Sequence, residues 1–264
     1  AFDEFNGTIV AWEMDFFDRI GRIRCFSTAL DSAGIRFSLV LILSMAILGR
    51  EESIRQNKAA IFYLLFSFFF ISVVGNMVAR TTTIGVAVGL LLWIGSMMIS
   101  DSHIGGGTSY IVRTFILLLT LSVVTAVYLY NTDEYYYNLI RFAFEGFFNL
   151  VEEGEFTTDS TEVLESMWLW PSDTKTWIIG NGIYGLWTYG TDIGYCRLIL
   201  YSGLVGFVTF ALSFVYYAYY FARKYPRYVW LFVSFLAMTF IVWMKVSTDI
   251  LMIYVFFFWF TAEE

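Results

Sequence analysis

The sequence predicts an all-α, polytopic membrane helical bundle. Of its 264 residues, 58% are hydrophobic, 21% are aromatic and only 2 are proline, and the mean hydropathy is +0.66. A water-soluble domain cannot hide this much apolar surface, whereas helices in a bilayer can expose it to lipid. The apolar residues also fall into separate long runs divided by polar loops.

Seven apolar segments approach the length of about 20 residues that a helix needs to cross a bilayer. They are Gly34–Gly49, Ala59–Met77, Thr82–Ser100, Thr114–Tyr130, Leu198–Ala222, Tyr228–Met244 and Ile250–Phe260. We therefore predict about seven transmembrane helices, four within residues 34–130 and three within residues 194–264.

The basic residues predict the orientation of these helices. Lys and Arg are concentrated in the short loops Arg50–Lys58 and Arg223–Arg227, and Arg113 closes a third loop just before the fourth segment. Since short basic loops stay in the cytoplasm, the other helix ends face outward. The expected extracytoplasmic parts are residues 1–33, the turn at 78–81, the long loop 131–193 and residues 245–249.

Residues 1–31 lack the basic start and apolar core of a signal peptide. We therefore expect this chain to be the C-terminal portion of a longer protein in the bacterial cytoplasmic (inner) membrane.

The long acidic loop is expected to contain helices of its own, because a structureless connection of this length is uncommon. Apolar residues at helical spacing predict an amphipathic interfacial helix over Tyr135–Val151. A second short helix is predicted over Ser160–Trp168, with Ser160 or Thr161 as its N-cap.

Several cations fall on the predicted outer face, where retention of positive charge does not explain them. They are Arg24, Arg36, Arg80, Arg141, Arg197 and Lys245. Guanidinium groups at a membrane surface suit a phosphate or diphosphate, because each offers a planar fork of donors. Alternatively, each cation reaches out from its helix end or pairs with a carboxylate.

Arg80 is the strongest individual candidate, since a turn of a few residues holds it between two apolar helices. The hydroxyls of Thr81, Thr82 and Thr83, with the first N–H groups of the following helix, are expected to favour an anion there.

Asp192 is the best candidate for a general base towards a sugar hydroxyl. It is equally well explained as the N-cap of the helix that starts near Tyr195.

Arg141 and Glu145 are four residues apart, as are Lys245 and Asp249, and each pair is expected to form an ion pair. Glu145 or Asp249 could replace Asp192 as the base.

Other classes of site are not predicted. The net charge is −7 and no basic tract interleaved with aromatic residues occurs, which argues against a nucleic-acid partner. The sequence has no metal-ligand cluster, Ser/His/Asp set or dinucleotide fingerprint, so neither a metal nor a cofactor is expected.

Three stretches together resemble the C-terminal half of bacterial O-antigen polymerases and ligases, and especially the exopolysaccharide polymerases of that group. The first is residues 22–34, where Arg24 precedes a membrane helix. The second is residues 79–85, where Arg80 leads into a Gly-rich helix. The third is the outer loop that ends in residues 180–182 and 191–195, followed by residues 203–206.

The resemblance implies a membrane glycosyltransferase that needs no metal. Its substrates would be oligosaccharides linked by a diphosphate to a polyprenyl lipid, and a sugar hydroxyl of one unit would attack the anomeric carbon of another. Arg24 and Arg80 match the diphosphate-binding arginines, and Arg197 is expected to join them. Membrane lipids and a chain-length regulator protein are the other implied partners.

Ligases of this group carry a His in the outer loop near the position of Asp192, and this chain has none there. The resemblance therefore favours a polymerase. Two rivals are a transporter or flippase of lipid-linked sugars, which would show broken helices and cations deep in the membrane, and a noncatalytic subunit of a polysaccharide export complex.

Overall fold

A computed structural model describes residues 30–99, 106–183, 190–247 and 251–261, and this part of the chain is helical with no strand. Four long helices come first. They are α1 (Leu30–Arg50), α3 (Lys58–Val78), α4 (Thr82–Ile99) and α5 (Gly106–Thr132), with a short α2 (Glu52–Gln56) between α1 and α3. The all-α prediction is therefore confirmed.

Four short helices then lie in residues 131–193, the part predicted as the long outer loop. We call this part the outer region after that prediction, and its side of the membrane stays a prediction. They are α6 (Glu134–Ala143), α7 (Glu145–Glu152), α8 (Asp159–Ser166) and α9 (Thr174–Ile179). The chain continues into α10 (Gly194–Lys224), a 3-10 turn (Pro226–Tyr228), α11 (Val229–Trp243) and α12 (Leu251–Thr261).

Within the described residues, five helices are long and apolar enough to cross a membrane. They lie at Ala33–Arg50, Lys58–Val78, Ser109–Thr132, Gly194–Lys224 and Pro226–Trp243. The other two predicted segments also form helices, α4 and α12, but a spanning role for these stays a prediction. The chain thus has the helices of a membrane protein, with five candidate spans.

Close contact of α1 with α4 joins the first half of the bundle. A Cβ added to Gly85 would lie 2.2 Å from the Cα of Ser38, so only glycine permits this approach. The buried Ser38 hydroxyl donates to the carbonyl of Thr81 at 3.0 Å. Small residues at a helix interface allow such close packing, and Gly85 provides it here.

The second half is organised around Trp243, which is fully buried at the end of α11. Phe210 stacks on its ring at 5.4 Å, and Phe214 meets it edge-on at 5.4 Å. Tyr195 at the start of α10 reaches the same cluster and donates to the carbonyl of Phe240 at 2.8 Å. These contacts hold the first turn of α10 against the end of α11.

The two predicted basic loops meet at one end of the bundle. Arg227 donates to the carbonyl of Arg50 and lies 3.5 Å from a carboxylate oxygen of Glu51, which also accepts from Tyr228. Because α3 and α11 both run away from this end, Arg80 and Trp243 lie at the opposite end. The start of α10 packs there as well, since a Cβ on Gly194 would lie 2.7 Å from the carbonyl oxygen of Val246.

α10 is broken at Gly203, whose φ of 66° and ψ of −176° are not helical. The break is filled by backbone from the outer region: Asn181 donates its N–H to the carbonyl of Leu200 at 3.0 Å, and Gly182 donates to that of Tyr201 at 2.9 Å. These donors replace the helix N–H groups that the break removes. The prediction of one uninterrupted helix here missed this break.

The single amphipathic helix predicted over Tyr135–Val151 is in fact two helices. Phe144, with φ −117° and ψ 21°, separates α6 from α7. Leu139, Ile140 and Ala143 of α6 are buried against the ends of α3 and α5, whereas Val151 of α7 is 85% exposed. Only the first half of the predicted apolar face is therefore covered by protein.

Candidate functional site

The candidate site is centred on Arg80, in the turn between α3 and α4. Its guanidinium forms an ion pair with Glu145 of α7 and donates to the hydroxyl of Ser160 in α8 at 2.9 Å. The same group lies 4.4 Å from the ring centroid of Phe142 in α6. Three separate helices of the outer region therefore converge on one cation at the end of a candidate membrane span.

The Arg80 and Glu145 side chains are only 15% and 16% exposed. Their attraction is thus screened less than that of a surface pair, and each would be costly to leave alone. The aromatic face of Phe142 adds a further favourable contact to the cation.

Several of the threonine groups expected to favour an anion already have partners within the chain. The N–H groups of Thr82 and Thr83 donate to the carbonyls of Ala79 and Arg80 at 3.0 Å, so neither is available to an anion. The Thr83 hydroxyl donates to Asn76 at 2.6 Å, and the Thr82 methyl group packs at Gly75. These threonines serve the packing of α3 with α4.

Ser160 was predicted as a helix cap, but in the structure it does not cap the helix. The helix begins one residue earlier and Thr158 caps it, accepting from the N–H of Thr161 at 3.3 Å. The hydroxyl of Ser160 is consequently turned to Arg80. It is a site residue that the sequence reasoning missed, since no local signal distinguishes it from an ordinary cap.

The predicted Arg141–Glu145 ion pair is wrong. The break at Phe144 ends the regular spacing, and Arg141 instead donates twice to Glu152, at 2.8 and 2.5 Å. The guanidinium of Arg141 also lies 5.2 Å from the ring centroid of Phe148. Arg141 and Glu152 therefore tie α6 to α7 beside the Arg80 site.

This tie predicts a pH dependence. Hydrogen bonds from Arg141 lower the pKa of Glu152 below its ordinary value of 4.5, so the contact stabilises the α6–α7 corner above that value and is lost as the pH falls through the lower, folded-state pKa. We expect normalised amide exchange in residues 134–152 to accelerate below pH 4.5 in the wild type. Glu152→Gln should already exchange faster at neutral pH and lose this pH response.

Glu153→Gln is the matched control, because Glu153 is the adjacent exposed acid. The amides of this variant should exchange like those of the wild type, both at neutral pH and below pH 4.5. A Glu152→Gln profile identical to that of Glu153→Gln would contradict the assigned role.

The second group of predicted residues lies where α10 begins. Asp192 precedes the helix, Arg197 lies in its first turns, and Lys245 follows α11 in the turn that packs on Gly194. All three side chains are partly buried. The structure therefore places Asp192, Arg197 and Lys245 at the same end of the bundle as Arg80, Glu145 and Arg141.

Asp192 is not the N-cap residue of this helix. The N-cap is Ile193, whose side chain has no acceptor, and the hydroxyl of Thr191 accepts from the Ile193 N–H at 3.2 Å. The alternative that treated Asp192 as this cap is wrong. The role of Asp192 as a general base stays a prediction.

Two predicted residues lie outside the described part of the chain: Arg24, a diphosphate-binding candidate, and Asp249, the expected partner of Lys245.

Comparison with family models, curated proteins and solved structures finds no match to this chain.

Proposed function

We propose that the chain is part of a membrane glycosyltransferase that polymerises lipid-diphosphate-linked oligosaccharides into O-antigen, capsule or exopolysaccharide. The observation that carries this proposal is the Arg80 site, where a cation at the end of a candidate membrane helix is held by side chains of three outer helices. That arrangement suits a ligand with its lipid tail in the membrane and its anionic head at the surface.

In this proposal the Glu145 carboxylate occupies the place of an anion at Arg80. A diphosphate has more charge and more acceptor oxygens than a carboxylate, so it can compete for the same guanidinium donors. Binding then frees Glu145 beside the diphosphate. Arg24 and Arg197 are proposed to hold the same diphosphate.

The proposed reaction joins two lipid-linked units. A hydroxyl oxygen of one glycan forms a bond to the anomeric carbon of the other, and the bond from that carbon to the diphosphate oxygen breaks. The lipid diphosphate leaves with the electron pair, and the arginines stabilise its charge. Asp192, or Glu145 once released, takes the proton of the attacking hydroxyl.

The proposed location is the cytoplasmic membrane of a bacterium, with the region 131–193 outside. Two basic loops that meet at one end of the bundle support this orientation, because such loops remain cytoplasmic. Every described candidate site residue would then face outward.

A transporter of lipid-linked sugars is the second candidate, and the break in α10 favours it, because transporters bind substrates at broken helices. However, the carbonyls of Leu200 and Tyr201 at this break already accept from Asn181 and Gly182. These helix-break carbonyls therefore already have donors within the chain, and the enzyme remains the preferred proposal.

The test uses the full-length protein in vesicles with lipid-linked oligosaccharides extracted from the cells that encode it. We expect a ladder of glycans that differ by one repeat unit. Arg80→Met and Asp192→Asn should abolish it, whereas Glu162→Gln, an exposed acid of α8, should not. Movement of the lipid across the vesicle without a ladder would favour the transporter, and normal polymerisation by Asp192→Asn would exclude Asp192 as the base.

A further inference from the structure

An exposed apolar surface lies on the outer region beside the first half of α10. Its members are Trp168, Leu169, Trp170, Ile178, Ile179 and Ile183, whose side chains are 42–57% exposed. The indoles are ordered against one another: Trp170 stacks on Trp177 at 5.7 Å with an interplanar angle of 13°, and Trp168 lies 5.6 Å from Trp170. We call these six residues the Trp–Ile surface.

The segment that carries this surface is fixed to α10 at both ends. At one end, the N–H of Leu169 donates to the sulfur of Cys196 at 3.4 Å. At the other, Gly180 lies against the backbone of Tyr201, and Asn181 donates to Leu200. The segment therefore runs along the first part of α10, and its height in a membrane follows from that of α10.

The length of α10 sets this height. The part after the Gly203 break, from Leu204 to the basic end at Lys224, is about 21 residues or about 31 Å long, close to the thickness of the hydrocarbon core. With Arg223 and Lys224 at one membrane surface, the break lies near the other. Ile178 packs on Gly203 and shares that level.

The tryptophans and the isoleucines of this surface then lie at the depths of two different membrane layers, the headgroup layer and the edge of the hydrocarbon core. Leu169 contacts Cys196, about 10 Å further along the helix axis than Gly203, which corresponds to the headgroup layer where indoles concentrate. Ile178 and Ile179 lie at the edge of the hydrocarbon. Leu204 and Val205, which follow Gly203 in α10, are exposed apolar residues as well.

We propose that the Trp–Ile surface inserts into the membrane interface, with its indoles among the headgroups and its isoleucines at the acyl boundary. The occupant of this surface is phospholipid. The insertion anchors the outer region to α10 and is independent of the proposed enzymatic activity.

Spin-label accessibility tests this proposal. Ile179→Cys is labelled with a nitroxide in a Cys25→Ser background, where Cys196 is fully buried, and reconstituted in vesicles of phosphatidylethanolamine and phosphatidylglycerol. We expect the label to be several-fold more accessible to oxygen, relative to a water-soluble nickel chelate, than one at Glu162→Cys. Val208→Cys, an exposed position of α10, provides the lipid-facing reference.

A second measurement needs no label. Lipids brominated near the headgroup should quench the tryptophan emission of the wild type more than that of the Trp168→Phe/Trp170→Phe variant. A label at position 179 with the water accessibility of position 162 would overturn the proposal. So would equal quenching of the two proteins, or protection of the label by added oligosaccharide instead of lipid.

Discussion

Gly203→Ala is expected to prevent the chain from folding to its native structure. A Cβ at this position would lie 2.3 Å from the carbonyl carbon and oxygen of Ile178, and both are backbone atoms that cannot move without displacing α9. The φ of 66° and ψ of −176° also belong to a region that only glycine adopts readily. We expect a cost above about 4 kcal/mol, because backbone strain and overlap act together.

Gly180→Ala should have the same effect, since its Cβ would lie 2.1 Å from the carbonyl oxygen of Tyr201. Gly182→Ala is the matched control, with φ 74° but nothing within 4 Å of the added atom, so its cost should be limited to about 1–2 kcal/mol. The measurement is the yield of monodisperse protein by size-exclusion chromatography, followed by thermal unfolding. Wild-type yields from Gly203→Ala would contradict the tight crossing of α9 and α10.

Arg80→Met should lower stability strongly even in the absence of substrate. It removes the charge but keeps the length of the side chain, and it leaves the Glu145 carboxylate only 16% exposed without this cation. Removal of one partner of a largely buried pair costs about 3 kcal/mol, which corresponds to a fall of about 8 °C in the unfolding temperature. Thermal unfolding in detergent micelles measures this change.

The double variant Arg80→Met/Glu145→Gln should recover much of this loss, because the carboxylate that loses this cation is then replaced by a neutral amide. Arg36→Met is the control, since Arg36 is an exposed cation of α1, and its effect should stay within about 0.5 kcal/mol. If Arg80→Met and Arg36→Met unfold at the same temperature, the ion pair with Glu145 contributes nothing to the fold.

The long helices could be predicted from sequence because their signal is local. The segment predicted at Ala59–Met77 is Lys58–Val78 in the structure, and Tyr228–Met244 is Val229–Trp243. Apolar length and the flanking polar residues determine these bounds. The break at Gly203 could not be found in this way, since the groups that satisfy its carbonyls, at Asn181 and Gly182, are distant in sequence.

The candidate site was predicted only as separate residues. Arg80 stands out because a short turn holds it between apolar helices. Glu145 was named as an acid on the same predicted side of the membrane. Their pairing depends on the break at Phe144, because Glu145 then no longer shares a helix face with Arg141. Such a break depends on how α6 packs against α3 and α5, and that packing is not visible in the spacing of the residues.

The most direct test of the account is whether Arg80 binds a lipid diphosphate in competition with Glu145. Native mass spectrometry of the protein released from nanodiscs that contain polyprenyl diphosphate or polyprenyl monophosphate measures this binding. We expect the wild type to retain the diphosphate preferentially, Glu145→Gln to retain more of it, and Arg80→Met to retain little. Equal retention by the wild type and Arg80→Met, or no preference for the diphosphate, would contradict the account.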